Sequence, residues 1–455
     1  MGSSADTRKN IDTCAGDNQR QVNGAGGAIY RLLAATRNGG RAVPNRRAAG
    51  TKWIGIPVCY SGVQMTYRQS SLPWNKSFTG VLNRWEKSLL LLNNTDVQKV
   101  LDMSLCMAAL DEVFQEMARG EAVGMGRIDV YVPSGQKAAP YYRWAVMTGG
   151  SKKDGLVCAR MLSDMVAWPR EHGRIRENKY ARAPGTFLGL LFLFSAKDAT
   201  PVAMINDGLL QHMPVGGGAG LGVKYLSRPD SSVVGMIGSG GMARAYLDAF
   251  CHVRSIKKIK IWSPNTANAQ AYAREVAERH GVESQIASSA RDAVRGMDIV
   301  SCCTSTNEPV FLNEWLEPGM HVTNLTSSEF QPSLPQMVDV AVRAGEATPR
   351  LERLSEEAEY FRAGFLGYVA GTPEERALVP KLTLSANVVN MPHLVDLLTG
   401  RAQGRTADDQ TTFFLNVGAI GVQFEGVAAA VYHKAREQGL GSEIPTDWFL
   451  QDIRD

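Results

Sequence analysis

The sequence lacks the patterns that several protein classes require. Its longest apolar run, residues 187–194, is far shorter than the ~20 residues of a transmembrane helix. The seven cysteines are scattered, with no CxxC pair and no Cys/His cluster at zinc spacing. Such usage predicts a reduced, cytoplasmic protein without a structural metal. A charged fraction of 21% and a hydrophobic fraction of 44% exclude wholesale disorder in this chain of 455 residues.

Positive charge is concentrated at the N-terminus. Residues 1–90 contain 13 Lys and Arg against four acids, a net charge of +9, so the total of +4 leaves −5 for the rest. This slightly acidic body predicts no nucleic-acid partner, and the short apolar runs predict no membrane partner. Residues 1–88 are predicted as a basic, partly disordered extension, because 1–50 have no sustained apolar period. A flexible tail, an arm that packs on a partner subunit and a targeting peptide stay open for it.

The chain after residue 88 begins with one helical pattern and a group of strands. Apolar residues recur at helical spacing over 95–120, and Thr95 with Gln98 fits a capping box, which predicts one long helix. Strands are predicted at 127–132, 141–148, 157–166, 187–194 and 202–205. Mixed strands with one helix indicate a separate α+β domain.

A glycine-rich turn follows this region. The apolar run Val233–Ile237 precedes a helical pattern, and between them stand Gly238, Ser239, Gly240, Gly241, Met242 and Ala243. In this GxGxxA pattern the first glycine permits a tight turn, the second lets a pyrophosphate approach, and the alanine allows close helix packing. The helix N-terminus offers unpaired N–H groups to phosphates. With the alternating strands and helices up to residue 325, the motif predicts an α/β fold with a Rossmann-type doubly wound parallel sheet.

Cofactor choice depends on the residues after the second strand, where an acid would bind the ribose 2′-hydroxyl. Ser263, Asn265 and Thr266 stand there instead, preceded by Lys260. These donors favour NADP(H), whereas the absence of an arginine keeps NAD(H) open. A later segment is also predicted to contact the cofactor: Thr304, Ser305 and Thr306.

Residues 222–250 resemble the ornithine cyclodeaminase/mu-crystallin family, and further segments between residues 89 and 442 agree with it. The resemblance implies a homodimer of NAD(P)-dependent subunits, each with a Rossmann domain and an α+β domain that binds substrate and dimerises. We expect the α+β domain at 89–215 with 400–450 and the Rossmann domain at 216–399. The aromatic insertion 360–368 is a candidate lid.

The resemblance also assigns site residues. It implies that Arg160, where the family usually has Lys, and Arg127 hold a substrate carboxylate. A family Arg-Thr pair is replaced by Pro214-Val215, and the following run Gly216–Gly218 is expected to offer backbone N–H groups instead.

The family's catalytic aspartate aligns with Ser328, next to Glu329. We therefore predict Glu329 as the catalytic acid, with Lys152 or Lys153 as alternatives. The leading interpretation is an NAD(P)H-dependent oxidoreductase of the CH–NH class: an imine or ketimine reductase, or an amino-acid dehydrogenase, acting on a carboxylate-bearing C=N or C=O substrate. A cyclodeaminase-type ammonia lyase that recycles NAD and a non-catalytic NADPH-binding protein stay open as alternatives.

Overall fold

A computed structural model describes residues 88–171, 173–345, 358–361, 365–381, 386–416 and 421–451. The predictions for residues 1–87 lie outside the described residues. No helix in the described ranges is long and apolar enough to cross a membrane. The same ranges contain no group of three or more His, Cys, Asp and Glu side chains that could hold a metal ion.

The first part of the described chain is rich in strands. Its strands are β1 (Ser88–Leu92), β2 (Ala122–Gly124), β3 (Ile128–Pro133), β4 (Tyr141–Ser151), β5 (Leu156–Ala167), β6 (Arg170–Glu171), β7 (Arg174–Ile175), β8 (Asn178–Tyr180), β9 (Leu188–Ser195) and β10 (Pro201–Asn206). Its helices are α1 (Asn94–Val100), α2 (Met103–Ala118) and α3 (Met213–Leu226).

The second part alternates strands and helices. Its strands are β11 (Val233–Ile237), β12 (Lys258–Trp262), β13 (Glu283–Ile286), β14 (Ile299–Cys302), β15 (His321–Asn324), β16 (Val340–Arg343), β17 (Ala358–Phe361), β18 (Phe365–Val369), β19 (Thr412–Leu415) and β20 (Ser442–Pro445). Its helices are α4 (Gly241–Val253), α5 (Thr266–His280), α6 (Ala290–Val294), α7 (Leu334–Met337), α8 (Pro373–Arg376), α9 (Ala386–Val389), α10 (Leu394–Leu398) and α11 (Gly421–Glu437).

A mixed 11-stranded sheet forms the first layer of the fold. Its order is β17-β18-β3-β4-β5-β9-β10-β1-β20, with β2 beside β4 and β8 beside β5. Strands β4 and β5 alternate between buried and half-buried or exposed residues, so one face of the sheet is covered and the other is open. Helix α11 packs against both strands.

A seven-stranded sheet with order β13-β12-β11-β14-β15-β19-β16 forms the second layer, and its strands pair in parallel. The predicted Rossmann-type sheet beside an α+β layer is therefore confirmed. The carboxyl ends of parallel strands meet at one edge, so the segments after β11, β14 and β15 lie side by side there.

Two segments belong to a different sheet from the one that the predicted domain boundaries imply. The candidate lid 360–368 overlaps the hairpin β17–β18, and β18 pairs in parallel with β3 of the first sheet. Conversely, β19 falls within 400–450 but lies between β15 and β16 of the Rossmann sheet. All four residues of β19 are buried, which is typical of an inner strand of a parallel sheet.

The predicted long helix is interrupted. Leu101 is extended, and the Asp102 carboxylate accepts a hydrogen bond from Leu105 N, which caps the start of α2. The capping box at the start of α1 is formed by Asn93 and Asp96 rather than by Thr95 and Gln98. A second cap within an apolar pattern thus divides one predicted helix into two.

The run Gly216–Gly218 does not form the expected N–H donor loop, because it lies inside α3, where Gly216 N donates to His212 O at 2.9 Å. The glycines instead permit close packing. An added Cβ would lie 2.5 Å from Ala245 O at Gly216, 2.4 Å from Leu110 Cδ1 at Gly217 and 2.8 Å from Asn416 Oδ1 at Gly218.

Candidate active site

The glycine-rich turn connects β11 to α4 at the carboxyl edge of the Rossmann sheet. Gly238 has a φ of +122°, in a region that favours glycine, and an added Cβ would lie 2.2 Å from Cys303 O. Only glycine allows the chain to turn this closely against the end of β14. The turn directs the following residues into the N-terminus of α4.

Open space lies in front of the next glycine. Gly240 caps α4, and an added Cβ there would meet no heavy atom within 4 Å. Arg244 Nη1 donates to Ser239 O at 2.9 Å and to Gly240 O at 3.1 Å, and these two hydrogen bonds hold the loop in place. On another side, an added Cβ at Gly241 would lie 2.8 Å from His212 Nε2.

The start of α4 packs closely on its neighbours. Ala243 is fully buried, and its carbonyl oxygen accepts a 2.8 Å hydrogen bond from the Tyr272 hydroxyl. Met242 is partly buried against the core. A small residue at 243 therefore lets α4 approach the sheet, and the open space at Gly240 beside a helix N-terminus fits a dinucleotide pyrophosphate.

The segment after β12 carries the residues predicted to select the cofactor. Asn265 caps α5, and its side-chain oxygen accepts from Asn268 N at 3.1 Å. Asn265 and Thr266 are exposed and Ser263 is partly exposed. Lys260 Nζ donates to two backbone carbonyl oxygens near the end of α6, at 3.3 and 3.0 Å, so its ammonium group is already engaged there.

Glu329 lies in a one-turn 3₁₀ helix after β15, fully buried. Its Oε1 accepts from Thr304 N at 2.6 Å and from Thr304 Oγ1 at 2.7 Å, and its Oε2 accepts from Leu325 N and Thr326 N, both at 2.8 Å. Four donors occupy the roughly four lone-pair positions of a carboxylate. Glu329 therefore joins the loop after β14 to the loop after β15.

Burial raises the pKa of Glu329 to about 7, although the hydrogen bonds from Thr304, Thr326 and Leu325 oppose this. The neighbouring Ser328 hydroxyl donates to Thr306 O at 2.9 Å and lies 2.9 Å from Thr326 Oγ1. Ser328 and Glu329 both hold the segment 304–306 in place, and neither oxygen of Glu329 is free of a donor.

The two arginines expected to hold substrate lie in one row across the first sheet. The register pairs Met147 with Arg160, and Ile128 with Val146, so Arg127 adjoins Met147 on the other side. Each arginine binds an aspartate through two nitrogens. Arg160 binds Asp207 at 2.8 and 2.6 Å, and Arg127 binds Asp129 at 2.5 and 3.2 Å.

Both arginines also lie over aromatic rings. The Arg160 guanidinium is 4.1 Å from the ring centre of Phe424 on α11, and that of Arg127 is 5.0 Å from that of Phe365 on β18. Burial raises the pKa of Asp207, and Arg160 opposes this rise. Arg160 Nη1 faces Met147 Sδ at 3.5 Å, a weak acceptor, so this nitrogen keeps donor capacity for an anion.

The segment containing β6, β7 and β8 connects the two sheets. Asn307 N donates to Ile175 O at 3.0 Å, and Glu177 N donates to Ser305 O at 3.2 Å. The Arg176 guanidinium reinforces this contact by donating to Ser305 Oγ at 3.0 Å. The predicted cofactor residues 304–306 are thus bonded to the chain that leads into β8, which pairs with the strand of Arg160.

The two lysines predicted as alternative acids lie in the turn between β4 and β5. Lys152 is 3.0 Å from Glu121, and Lys153 is 3.4 Å from Glu112; both lysines are exposed. Neither is placed beside the arginine row. Their contacts are those of a solvated turn.

The geometry adds residues that sequence reasoning missed: Asp129, Asp207 and Phe424. Asp129 carried a signal, because residues two apart on a strand share a face and Arg127 precedes it by two. The contact between Asp207 and Arg160 depends on the order of β5, β9 and β10, which no local pattern specifies.

Three comparisons place the chain among known proteins. A Delta(1)-pyrroline-2-carboxylate reductase of Bacillus cereus is 28% identical over 259 residues, covering 57% of this chain and 74% of the relative. The solved Delta(1)-pyrroline-2-carboxylate reductase of Thermococcus litoralis, in complex with NADH and L-proline, has a TM-score of 0.62 at 22% identity and covers 78% of this chain and 100% of its own. An archaeal alanine dehydrogenase dimer with bound NAD has a TM-score of 0.59 at 21% identity, covering 78% and 99%.

The two solved structures share the fold described above. The family assignment rests on sequence: the model of the ornithine cyclodeaminase/mu-crystallin family matches residues 173–439. Because the matched residues make up more than half of the 455-residue chain, the protein belongs to the ornithine cyclodeaminase/mu-crystallin family.

Proposed function

We propose that this protein is an NAD(P)H-dependent oxidoreductase that reduces the C=N or C=O bond of a small substrate bearing a carboxylate. The class includes imine and ketimine reductases and amino-acid dehydrogenases, and relatives named above are a pyrroline-2-carboxylate reductase and an alanine dehydrogenase. The nucleotide supplies the hydride when bound.

One observation carries the proposal: two contacts and one electrostatic interaction connect the arginine row to the dinucleotide loop. Arg160 binds Asp207, the charge of Asp207 acts on the pKa of His212, and the ring of His212 lies against Gly241. A carboxylate held by Arg160 would therefore lie beside the loop that fits a pyrophosphate. Such placement fixes distance and orientation, which contribute much of the rate in a two-substrate reaction.

The arginines have a binding role in this proposal. Arg127 and Arg160 are held by their aspartates and rings, so they are fixed before substrate arrives. Arg160 Nη1, whose acceptor in this structure is the weak Met147 Sδ, then meets a carboxylate oxygen. Glu329, predicted above as the acid, has both oxygens occupied by four donors, and we assign it and Ser328 the role of positioning the loop 304–306.

The test is a substrate panel with the full chain. NADH and NADPH oxidation is followed at 340 nm with cyclic ketimine carboxylates, including Δ1-pyrroline-2-carboxylate, and with pyruvate plus ammonia. We expect at least one substrate to be reduced at about 1 s⁻¹ or faster. Ammonia release from ornithine without net cofactor consumption would indicate a lyase instead. Cofactor binding with no turnover of any substrate would indicate a non-catalytic binding protein.

For the cofactor we propose a preference for NADP(H) over NAD(H). Ser263, Asn265 and Thr266 are exposed to a degree that suits donation to a 2′-phosphate, and no carboxylate lies among them to repel it. Lys260 contributes little, because two carbonyl oxygens already engage it. Fluorescence titration with NADPH and NADH tests this proposal, and tighter binding of NADH would refute it.

We also propose that a second copy of the chain covers the open face of the first sheet. The strands β4, β5 and β9 line this face with apolar residues that are half-buried or exposed, including Val146, Met161, Leu190, Phe192 and Phe194. An apolar surface of this extent marks an interface, and the archaeal relative is a dimer. Light scattering should give a dimer for the wild type and a monomer for Phe192→Asp. A monomeric wild type would refute the proposal.

A cytoplasmic location and the absence of nucleic-acid and membrane partners stay predictions. For residues 1–88, the flexible tail, the arm that packs on a partner subunit and the targeting peptide stay open as alternatives.

A further inference from the structure

Lys179 occupies the middle of the short strand β8, which continues along β5 past the end of β9. It pairs with Val166 of β5, and residues directly opposite in an antiparallel pair point to the same face. Val166 lies six positions after Arg160 on the same strand, so it shares the Arg160 face. Lys179 therefore projects from the covered face of the sheet, which carries the proposed substrate arginines.

The ammonium group of Lys179 differs from the guanidinium groups around it. The arginines of this face are all paired with acids: Arg127 with Asp129, Arg143 with Asp164 and Glu177, and Arg160 with Asp207. The side chain of Lys179, in contrast, forms no hydrogen bond or ion pair with any of the described residues, and it is partly exposed. Among the described residues, its ammonium group is therefore the cation of this face that no acid pairs with directly.

The charges that face Lys179 come from every neighbouring element. Asp164 of β5 and Glu177 before β8 favour the charged amine, whereas Arg143 of β4 and Arg127 before β3 disfavour it. Burial outweighs these and lowers the pKa of Lys179. The charge of Lys179 also acts on Asp207 and His212, which lie between the arginine row and the dinucleotide loop.

We propose that Lys179 is the proton donor of the reduction, an inference that rests on the proposed function. As hydride adds to the carbon of a C=N or C=O bond, the π electron pair moves to nitrogen or oxygen. The Lys179 ammonium transfers one proton to that atom and becomes a neutral amine, and solvent returns the proton afterwards. The substrate gains one hydride, which carries two electrons, and one proton, and NAD(P)H is oxidised to NAD(P)⁺.

The position of Lys179 suits this role better than that of Glu329. A proton donor needs an N–H or O–H that can point at the substrate. Lys179 has three N–H donors and no partner among the described residues, whereas each oxygen of Glu329 already accepts two hydrogen bonds. The guanidinium groups of Arg160 and Arg127 are engaged by their aspartates, so we assign them binding and not proton transfer.

Three variants of the full-length protein test the proposal with whichever substrate the panel identifies. Lys179→Met removes the proton, Lys179→Arg keeps the charge but cannot release a proton, and Lys197→Met changes an exposed lysine in the β9–β10 turn as the matched control. We expect both Lys179 variants to lower kcat about 10²-fold or more, with KM and NAD(P)H affinity little changed for Lys179→Arg. The control should keep wild-type values.

The pH profile separates donation from binding. In the wild type kcat should fall as pH rises through the Lys179 pKa, and this limb should vanish in Lys179→Met. Wild-type kcat in Lys179→Arg would overturn the proposal, because it would mean that charge alone suffices. Loss confined to KM would also overturn it.

A measurement without turnover completes the test. Reductive ¹³C-methylation of the folded protein, followed by NMR, reports each lysine's titration, and the resonance absent from Lys179→Met identifies Lys179. A pKa below the usual lysine range supports the proposal, and an ordinary pKa contradicts it. The NMR titration can be measured even if the panel finds no substrate. A panel without any substrate would count against the proposed function and not against the assignment of Lys179.

Discussion

Glu329→Gln tests whether this buried carboxylate positions a loop or transfers protons. The substitution keeps size and shape but replaces one acceptor oxygen by an NH₂ group. If the amide nitrogen takes the place of Oε2, it faces two backbone N–H groups, from Leu325 and Thr326, and both bonds are lost. If it takes the place of Oε1, the Thr304 hydroxyl can turn to accept, and only the bond from Thr304 N is lost.

The second orientation costs less and sets the expected size of the effect. A hydrogen bond to a charged group contributes about 1.5–3 kcal/mol, so we expect the free energy of unfolding to fall by about 2 kcal/mol. The difference should be measured by urea denaturation above a pH of about 7, where the wild-type carboxylate is ionised. Because Thr304 belongs to the predicted cofactor segment, NAD(P)H affinity should weaken as well.

Glu314→Gln is the matched control, since Glu314 is exposed in the same part of the chain. It should change the unfolding free energy by less than about 0.5 kcal/mol. The positioning role would be refuted if Glu329→Gln kept wild-type stability and cofactor affinity while kcat fell and one limb of its pH profile disappeared. That pattern would restore Glu329 as the acid and would remove the reason for assigning the proton to Lys179.

Further predictions concern the dinucleotide loop, the arginine row and a buried acid. The Cβ added by Gly240→Ala meets open space, so stability should be unchanged while NAD(P)H affinity falls about tenfold or more. Gly238→Ala should weaken NAD(P)H binding and also lower the stability of the fold, because its Cβ would lie 2.2 Å from Cys303 O. Equal urea midpoints for the two variants would contradict this assignment. Arg160→Met leaves Asp207 buried without its partner, so the free energy of unfolding should fall by about 3–5 kcal/mol. Adding Asp207→Asn to the same chain should restore part of this loss. If the effects of the two substitutions were strictly additive, the two residues would not act as a pair. Burial raises the pKa of Glu425 from 4.5 to about 8, so the folded state keeps a proton that the unfolded chain releases. Its contribution to stability is full below pH 4.5 and is lost as pH rises through about 8. Unfolding free energy should therefore fall with pH more steeply in the wild type than in Glu425→Gln, and parallel pH curves would disprove this.

The sequence alone predicts the features that depend on neighbouring residues. The dinucleotide turn is of this kind, because Gly238, Gly240 and Ala243 act through local backbone geometry. The alternation of β4 and β5 is another, since burial follows a period of two. Local cap chemistry at Asp102 was present in the sequence too, but the apolar period on both sides masked it.

Features that depend on strand order could not be read in this way. The pairing of Arg160 with Asp207 requires β9 and β10 to lie beside β5, and no local signal specifies that order. The same holds for β18 and β19, whose residues fit either sheet by composition. Lys179 was missed because β8 is only three residues long and carries no periodic pattern.

The strand order also constrains how the protein is made. β1 at the start of the described chain pairs with β20, and the Rossmann sheet receives β19 between two strands that precede it in sequence. During synthesis, residues 412–415 and 442–445 therefore leave the ribosome after their partner strands, whose edges stay unpaired until then. Neither layer can be completed early, so folding involves contacts of large sequence separation and is expected to be slow. Removal of the chain from residue 442 onward would consequently leave that edge of β1 without its partner strand.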